Sequence, residues 1–319
     1  MDEYYSSSSF PMGKATRIMR RSIFIFLQNL QHLTSTPSLL ALPFSLSTLL
    51  SQSLITSPSS YIFLLVHARL KSLFIAAGFP PSSQLFPFLN LKLTQTLISF
   101  LFVLPFTLSF LLLSKASVIR ALFRHFEPNS FFSWISILNP LLITQFCNSL
   151  VILSANAICF CLLIISFDIL GLTSHNALLL LSATGAVAYS IVLANACVVC
   201  SLSLIVSGVE KHGGFRSISK ACVLIRGRMG TALSLAVPMN MALAGVEALF
   251  QYRILRMYGH WFSVLEAMLI AYLHAMLIVL DMVVGSVFLK SCTANYQIDR
   301  IENQERDQRR SFLEKEFSL

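Results

Sequence analysis

Six apolar stretches, each about the length a helix needs to cross a bilayer, run through this chain between clusters of charge, Pro and Ser. They extend approximately from Ser38 to Ile55, Leu93 to Leu113, Leu141 to Phe167, Ala177 to Val206, Gly230 to Phe250 and Phe262 to Leu289. A chain of 319 residues that is 55% hydrophobic and only 12% charged carries more apolar surface than a soluble domain of that size can bury. The expected fold is therefore all-α: a polytopic transmembrane helix bundle of about six spans with added interfacial amphipathic helices. The first span is diluted by Ser45, Ser47, Thr48, Ser51 and Ser53, whose hydroxyls are expected to bond back to the helix's own carbonyls at little cost.

The stretch from Tyr61 to Phe79 competes for a seventh span, and insertion costs decide against it. Its ten Leu, Ile, Phe and Val residues contribute roughly −5 kcal/mol, whereas the central Arg69 and Lys71 cost roughly +6 kcal/mol. A lumenal interfacial helix over 61–79, ended by Pro80-Pro81, is the expected outcome. With the amino terminus in the cytosol, 18 of the 23 Lys and Arg residues fall on the cytosolic side. Those include the Lys115 to Arg124 loop, the Lys211 to Arg228 loop and the C-tail. The opposite side receives Arg69, Lys71, Lys92, Arg253 and Arg256. This satisfies the positive-inside rule and puts both termini in the cytosol, as an even span count requires. No cleavable signal pattern follows the basic cluster Lys14, Arg17, Arg20 and Arg21, so the first span is expected to target the chain. No N-x-Ser/Thr sequon occurs to mark the lumenal side.

Two segments outside the spans are amphipathic at helical spacing. Over 14–33, Lys14, Arg17, Arg21, Gln28 and His32 fall opposite Met19, Ile23, Phe26, Leu27 and Leu30. Over 214–227, Phe215, Ile218, Cys222 and Ile225 form an apolar stripe with Arg216 and Lys220 opposite and Gly213-Gly214 at the start. Lys14, Arg17, Arg21, Arg216, Lys220, Arg226 and Arg228 are the residues expected to meet anionic headgroups; the alternative is that they only anchor the positive side. The ends lie outside this pattern: a Ser-rich N-tail over 1–13, expected to be disordered, and a charged cytosolic C-tail over 290–319, expected to be a solvated helix or a disordered extension.

Within the spans, small residues recur at steps of four. Ser182, Ala186, Ser190 and Ala194 mark one stripe, and Ala232, Ala236, Asn240, Ala244 and Ala248 another; both are expected to be close-packing faces. Pro43, Pro105 and Pro238 are expected to kink their helices. Asn148, Asn156 and Asn195 are expected to join helices, typically for about 0.6 kcal/mol each.

Ionisable groups concentrate in the last two spans. Glu266, His274 and Asp281 share one broad face of span six, and Glu247 of span five is placed to meet Glu266. Such a column suits proton or cation passage, because His titrates near neutrality beside acids able to exchange protons with it. The alternative is that the two glutamates sit near headgroups while His274 and Asp281 are satisfied by Asn240, Ser234 or a span-five carbonyl. The seven cysteines lie mostly inside apolar runs, and Cys197-x-x-Cys200 lacks the strand-to-helix setting of a redox motif. No metalloprotease, hydrolase or nucleotide-binding motif is present, so no catalytic residue, cofactor or metal is expected. The expected partner is the lipid bilayer, with anionic headgroups on the cytosolic face and no nucleic acid.

The segment Ser207-x-x-Glu210, followed by Gly214-x-x-Ser217-Ile218-x-Lys220-Ala221-x-x-Leu224-Ile225-Arg226-Gly227-Arg228, resembles a pattern in a plant family of uncharacterised multi-pass membrane proteins. Ser217 stands where Ala is usual there and Ala221 where Ser is usual, so the chain looks like a divergent member. The likeness extends more loosely over the basic N-terminal helix, the proline-bearing first two spans and the Ser114-Lys115 exit of span two. A similar Gly and Leu-basic-Gly element occurs in the membrane domain attached to some bacterial glycerophosphodiester phosphodiesterases, although no phosphodiesterase motif is present here. The resemblance implies a six-span protein of the endoplasmic reticulum or plasma membrane, and no activity. The leading expectation is a non-enzymatic protein that organises lipids or partner proteins through its two basic helices. The alternative is a transporter or channel using the polar column, and a lipid-modifying enzyme ranks third.

Overall fold

The computed structural model describes residues 11–55, 61–76, 85–123, 131–170, 175–256 and 262–317. Among them every long element is helical: α1 (Pro11–Gln28), α2 (Leu30–Ile55), α3 (Tyr61–Ala76), α4 (Leu85–Phe106), α5 (Leu112–Phe123), α6 (Phe131–Leu170), α7 (His175–Glu210), α8 (Phe215–Ile225), α9 (Met229–Arg256) and α10 (Phe262–Phe317). Six stretches are long and apolar enough to cross a membrane: Leu30–Ser51, Leu93–Phe123, Ile135–Cys159, Ala183–Glu210, Met229–Arg253 and Val264–Gln297. The chain is an all-α, multi-pass integral membrane protein. The residues expected to form a disordered N-tail lie, from 1 to 10, outside the described residues, as does the Pro80-Pro81 break.

Several boundaries differ from the hydropathy reading for a common reason: a helix stops where its backbone is capped or broken, not where its polarity changes. The basic amphipathic helix ends at Gln28 rather than running on toward residue 33. Asn29 restarts the chain as α2, its carbonyl accepting the N–H groups of His32 (3.1 Å) and Leu33 (2.9 Å). The Lys115 to Arg124 loop is mostly helix α5, and charge ends the apolar pattern of span six without ending α10. Pro105 is followed by a short π-helical turn, Thr107–Leu111, between α4 and α5. Proline removes an N–H from the ladder, and the turn absorbs that defect. The Ser109 hydroxyl donates to the Pro105 carbonyl at 2.6 Å. Pro43 and Pro238 stay inside α2 and α9. The back-bonding expected in α2 holds for Ser47, Thr48 and Ser51. Ser45 differs, its hydroxyl being buried without a partner among the described residues.

The chain divides into two compact units, residues 1–28, 119–238 and 280–319 in one, and 29–118 and 239–279 in the other. In the second unit Leu49 of α2, Val246 and Phe250 of α9, and Ile270 and Ala271 of α10 form a core cluster. There the Ser114 hydroxyl of α5 donates to the Pro37 carbonyl of α2 at 2.8 Å. In the first unit α6 packs on α7, and α8 on both. α7 changes character along its length: Val187, Ile191 and Val192 are exposed, as lipid-facing residues are, whereas 202–208 are buried all round. Close approach explains that burial. A Cβ on Gly208 would stand 2.7 Å from Ile119 Cδ1, and one on Gly285 of α10 would stand 2.8 Å from Ile205 Cδ1. Asn148 of α6 crosses to α7, donating to the Cys200 carbonyl (2.9 Å) and accepting from the Ser203 hydroxyl (2.9 Å).

The small-residue stripes are not the packing faces expected of them. Ala186 and Ser190 are exposed, and on α9 only Ala232 is buried while Asn240, Ala244 and Ala248 are exposed. The Ser182 side chain lies outside the described residues. Small side chains permit close packing but do not compel it, since lipid tails accept them equally well.

Candidate functional site

Helix α8 is held at both ends by glycine geometry. Gly214 adopts φ +80°, a region open to glycine at no steric cost, and its N–H donates to the Thr144 hydroxyl of α6 at 2.9 Å. A Cβ on the neighbouring Gly213 would stand 2.7 Å from the Pro140 carbonyl oxygen, so this turn lies directly against the α6 backbone. The Ser217 hydroxyl donates to the His212 carbonyl. At the far end Gly227, at φ +81°, turns the chain into α9, with the Arg228 N–H on the Ile225 carbonyl at 2.8 Å.

Between these turns α8 buries Ser217, Ile218, Ala221 and Ile225. The stripe expected from hydrophobicity is thus split: Ile218 and Ile225 face protein, while Phe215 and Cys222 are exposed. Ser217 and Ala221 take the inner positions because small side chains let α8 approach its neighbours closely. The outer face combines Phe215 (62% exposed) and Val223 (51% exposed) with the exposed Arg216 and Lys220. Arg226 is exposed, and Arg228 is half-buried beside Cys292 of α10.

A cavity of about 420 Å³ opens beside this face. Glu210 lines it from the end of α7, His212 from the turn that follows, Arg216, Ser219 and Lys220 from α8, and Tyr296 from α10. The Lys220 ammonium pairs with the Glu210 carboxylate. Sequence reasoning named Arg216 and Lys220 as headgroup contacts, quoted Glu210, Ser217 and Leu224 only within the family pattern, and did not name His212, Ser219 or Tyr296. Glu210 lies ten residues before Lys220 across the glycine turn, and Tyr296 sits in the tail, where no local pattern pointed to α8.

Helix α1 carries Lys14, Arg17 and Arg21 exposed, as well as Arg20. It buries a narrow edge, Ala15, Ser22 and Phe26, and leaves Ile23, Phe24 and Leu27 exposed. Like α8, it shows an apolar strip beside a basic one on its uncovered side.

The polar groups of the last two spans pair differently from expectation. Glu247, expected beside Glu266, lies beside His274. Its carboxylate lies 3.6 Å from His274 Nε2, and Glu266 takes Arg253 at 3.3 Å. Each carboxylate thus has a nitrogen base as its neighbour, whereas two carboxylates side by side would repel. The His274 side chain is 4% exposed and its Nδ1 is buried without a partner among the described residues. Asp281 is half-buried on the same helix and belongs to the other unit. A second cluster was not foreseen. His67 of α3, in the helix excluded as a span, meets Asn90 Nδ2 (3.3 Å) and Thr94 Oγ1 (3.5 Å) of α4. Among the described residues no three His, Cys, Asp or Glu side chains gather as a metal site.

No curated protein and no solved structure matches the chain. A family model described as a domain of unknown function (DUF8558) matches residues 14–314. That match covers most of the sequence, and the chain belongs to this family.

Proposed function

We propose that this protein is a non-enzymatic membrane organiser that gathers anionic lipids on the cytosolic face through α1 and α8. The observation that carries the reading is the half-covered state of α8. One face is docked between α6 and α7, and the other presents Phe215 and Val223 beside Arg216 and Lys220. A helix with an apolar strip and a basic strip on its uncovered side is suited to the headgroup boundary, where each Lys or Arg near an anionic surface contributes about 1 kcal/mol. The end of α7 and the start of α9, both spans, flank it. The charge count supports termini in the cytosol, and the family resemblance supports the endoplasmic reticulum or plasma membrane of a plant cell. The test is to purify the protein in native-lipid discs and measure the anionic fraction of the retained lipid. Wild type is expected to enrich anionic lipid at least twofold over the parent membrane, and neutralising Arg17, Arg21, Arg216 and Lys220 together to abolish the enrichment. No enrichment in wild type refutes the proposal.

A second reading is a proton or cation path through the second unit. The buried His274 beside Glu247 favours it, because ionisable groups in spans are costly and commonly mark pathways. Cysteines at positions 274 and 281 in a cysteine-free protein, probed with an impermeant thiol reagent from each side, decide it. Labelling favours the path, and silence at both, with position 219 labelling from the cytosol, removes it.

A further inference from the structure

We infer that the cavity between the end of α7, α8 and Tyr296 is a binding site for a phosphomonoester, supplied by a lipid whose headgroup ends in a free phosphate. The inference rests on the proposed lipid-gathering role and names the ligand class of one site within it.

The lining decides the chemistry. Glu210 holds the Lys220 ammonium, so that pair adds little net attraction. Arg216 lines the same cavity with no protein partner among the described residues. A guanidinium is always charged and offers a planar fork that fits phosphate oxygens two at a time. Ser219, Tyr296 and His212 line the cavity with it and bring two hydroxyls and an imidazole to the donor set of its lining. This donor set exceeds what a phosphodiester can use, with its single charge and two terminal oxygens. A phosphomonoester brings three strong acceptor oxygens and a charge of about −1.5 to −2 at neutral pH. Glu210 sharpens the difference: a monoanion competes poorly with that carboxylate for Lys220, whereas a near-dianion competes well.

Location decides the source. Arg216, Ser219 and Val223 follow one another at steps of three and four, so they share one side of α8. The exposed Phe215 and Val223 therefore give an apolar margin to a cavity that carries charged residues in its lining, at the end of a membrane span. A lipid fits both surfaces, its phosphate in the cavity and its chains along the apolar margin. Free phosphate would use only the first.

The experiment is native mass spectrometry or equilibrium binding on the full-length protein in neutral detergent. The probes are a short-chain phosphatidic acid, a short-chain phosphatidylserine, a short-chain phosphatidylcholine as the uncharged reference, and inorganic phosphate. The phosphatidic acid is expected to bind at least tenfold more tightly than the phosphatidylserine. Arg216→Gln is expected to lose that advantage and Arg216→Lys to keep part of it. Glu210→Gln should tighten binding by releasing Lys220, and Lys71→Gln, at an exposed position on α3, should leave it within twofold. Opposite signs at Arg216 and Glu210 are not what a general loss of structure would produce. Equal binding of the two lipids overturns this inference while leaving the wider lipid-gathering role intact, whereas loss of all anionic preference overturns both. Inorganic phosphate binding as tightly as the lipid overturns the lipid source.

Discussion

Replacing Gly213 by alanine tests whether α8 is a docked part of the fold or a loosely tethered arm. An ideal Cβ at Gly213 stands 2.7 Å from the Pro140 carbonyl oxygen and 2.9 Å from Pro140 Cα. Both are backbone atoms inside α6, so relief requires moving a helix rather than rotating a side chain. Overpacking of this type costs about 2 kcal/mol, which raises the undocked fraction about 30-fold, since about 1.4 kcal/mol is a factor of ten. Gly245→Ala is the control: nothing lies within 4 Å of its Cβ and it sits inside α9, so the change is neutral or stabilising by up to about 1 kcal/mol. Gly227→Ala has open space but φ +81°, and falls between at about 1 kcal/mol. The assay places a cysteine at Ser217, which is 3% exposed, in a cysteine-free protein and follows its labelling by a water-soluble thiol reagent. Labelling should rise about 30-fold in Gly213→Ala and stay level in Gly245→Ala. Equal rates in the two variants would refute the docking argument.

Other perturbations probe the two units. Asn148→Ala removes the bridge from α6 to α7 and should lower thermal stability in detergent by about 1 kcal/mol; no change would show that the amide does not hold these helices. A double-mutant cycle of Glu247→Leu and His274→Phe should give a coupling of about 1 kcal/mol, and zero coupling would mean that their 3.6 Å approach has no energetic content. Lys290→Met loses both the Leu122 carbonyl (2.8 Å) and the Phe123 ring (4.6 Å). The expected cost is about 1 kcal/mol, read as a lower unfolding midpoint, and an unchanged midpoint would count against that cap on α5.

The six spans were legible because hydropathy over about twenty residues reports directly on the lipid environment. The exclusion of α3 rested on the same arithmetic, through Arg69 and Lys71. Contacts between helices were less legible. Asn148 was readable as a polar group needing a partner, but nothing local named Cys200 and Ser203. On α8 the hydrophobic stripe pointed to Phe215 and Cys222, whereas Ser217 and Ala221 occupy the inner face, because in close helix packing size outweighs hydrophobicity. The same argument explains the misread stripes: close approaches occur at Gly208, Gly213 and Gly285, glycines with no periodic signature. The cavity residues Glu210 and Tyr296 come together only through the fold, so of that site only Arg216 and Lys220 were readable in advance.

The central claim is that the outer face of α8 lies in the headgroup boundary, and the depth of Val223 measures it most directly. A fluorophore on a cysteine at position 223 would be followed in vesicles carrying lipids brominated along their chains. Strong quenching from the upper chain positions, deepening as anionic lipid is added and weakening with salt, is the predicted result. A water-exposed probe that no brominated lipid quenches, at any charge or ionic strength, would contradict the account.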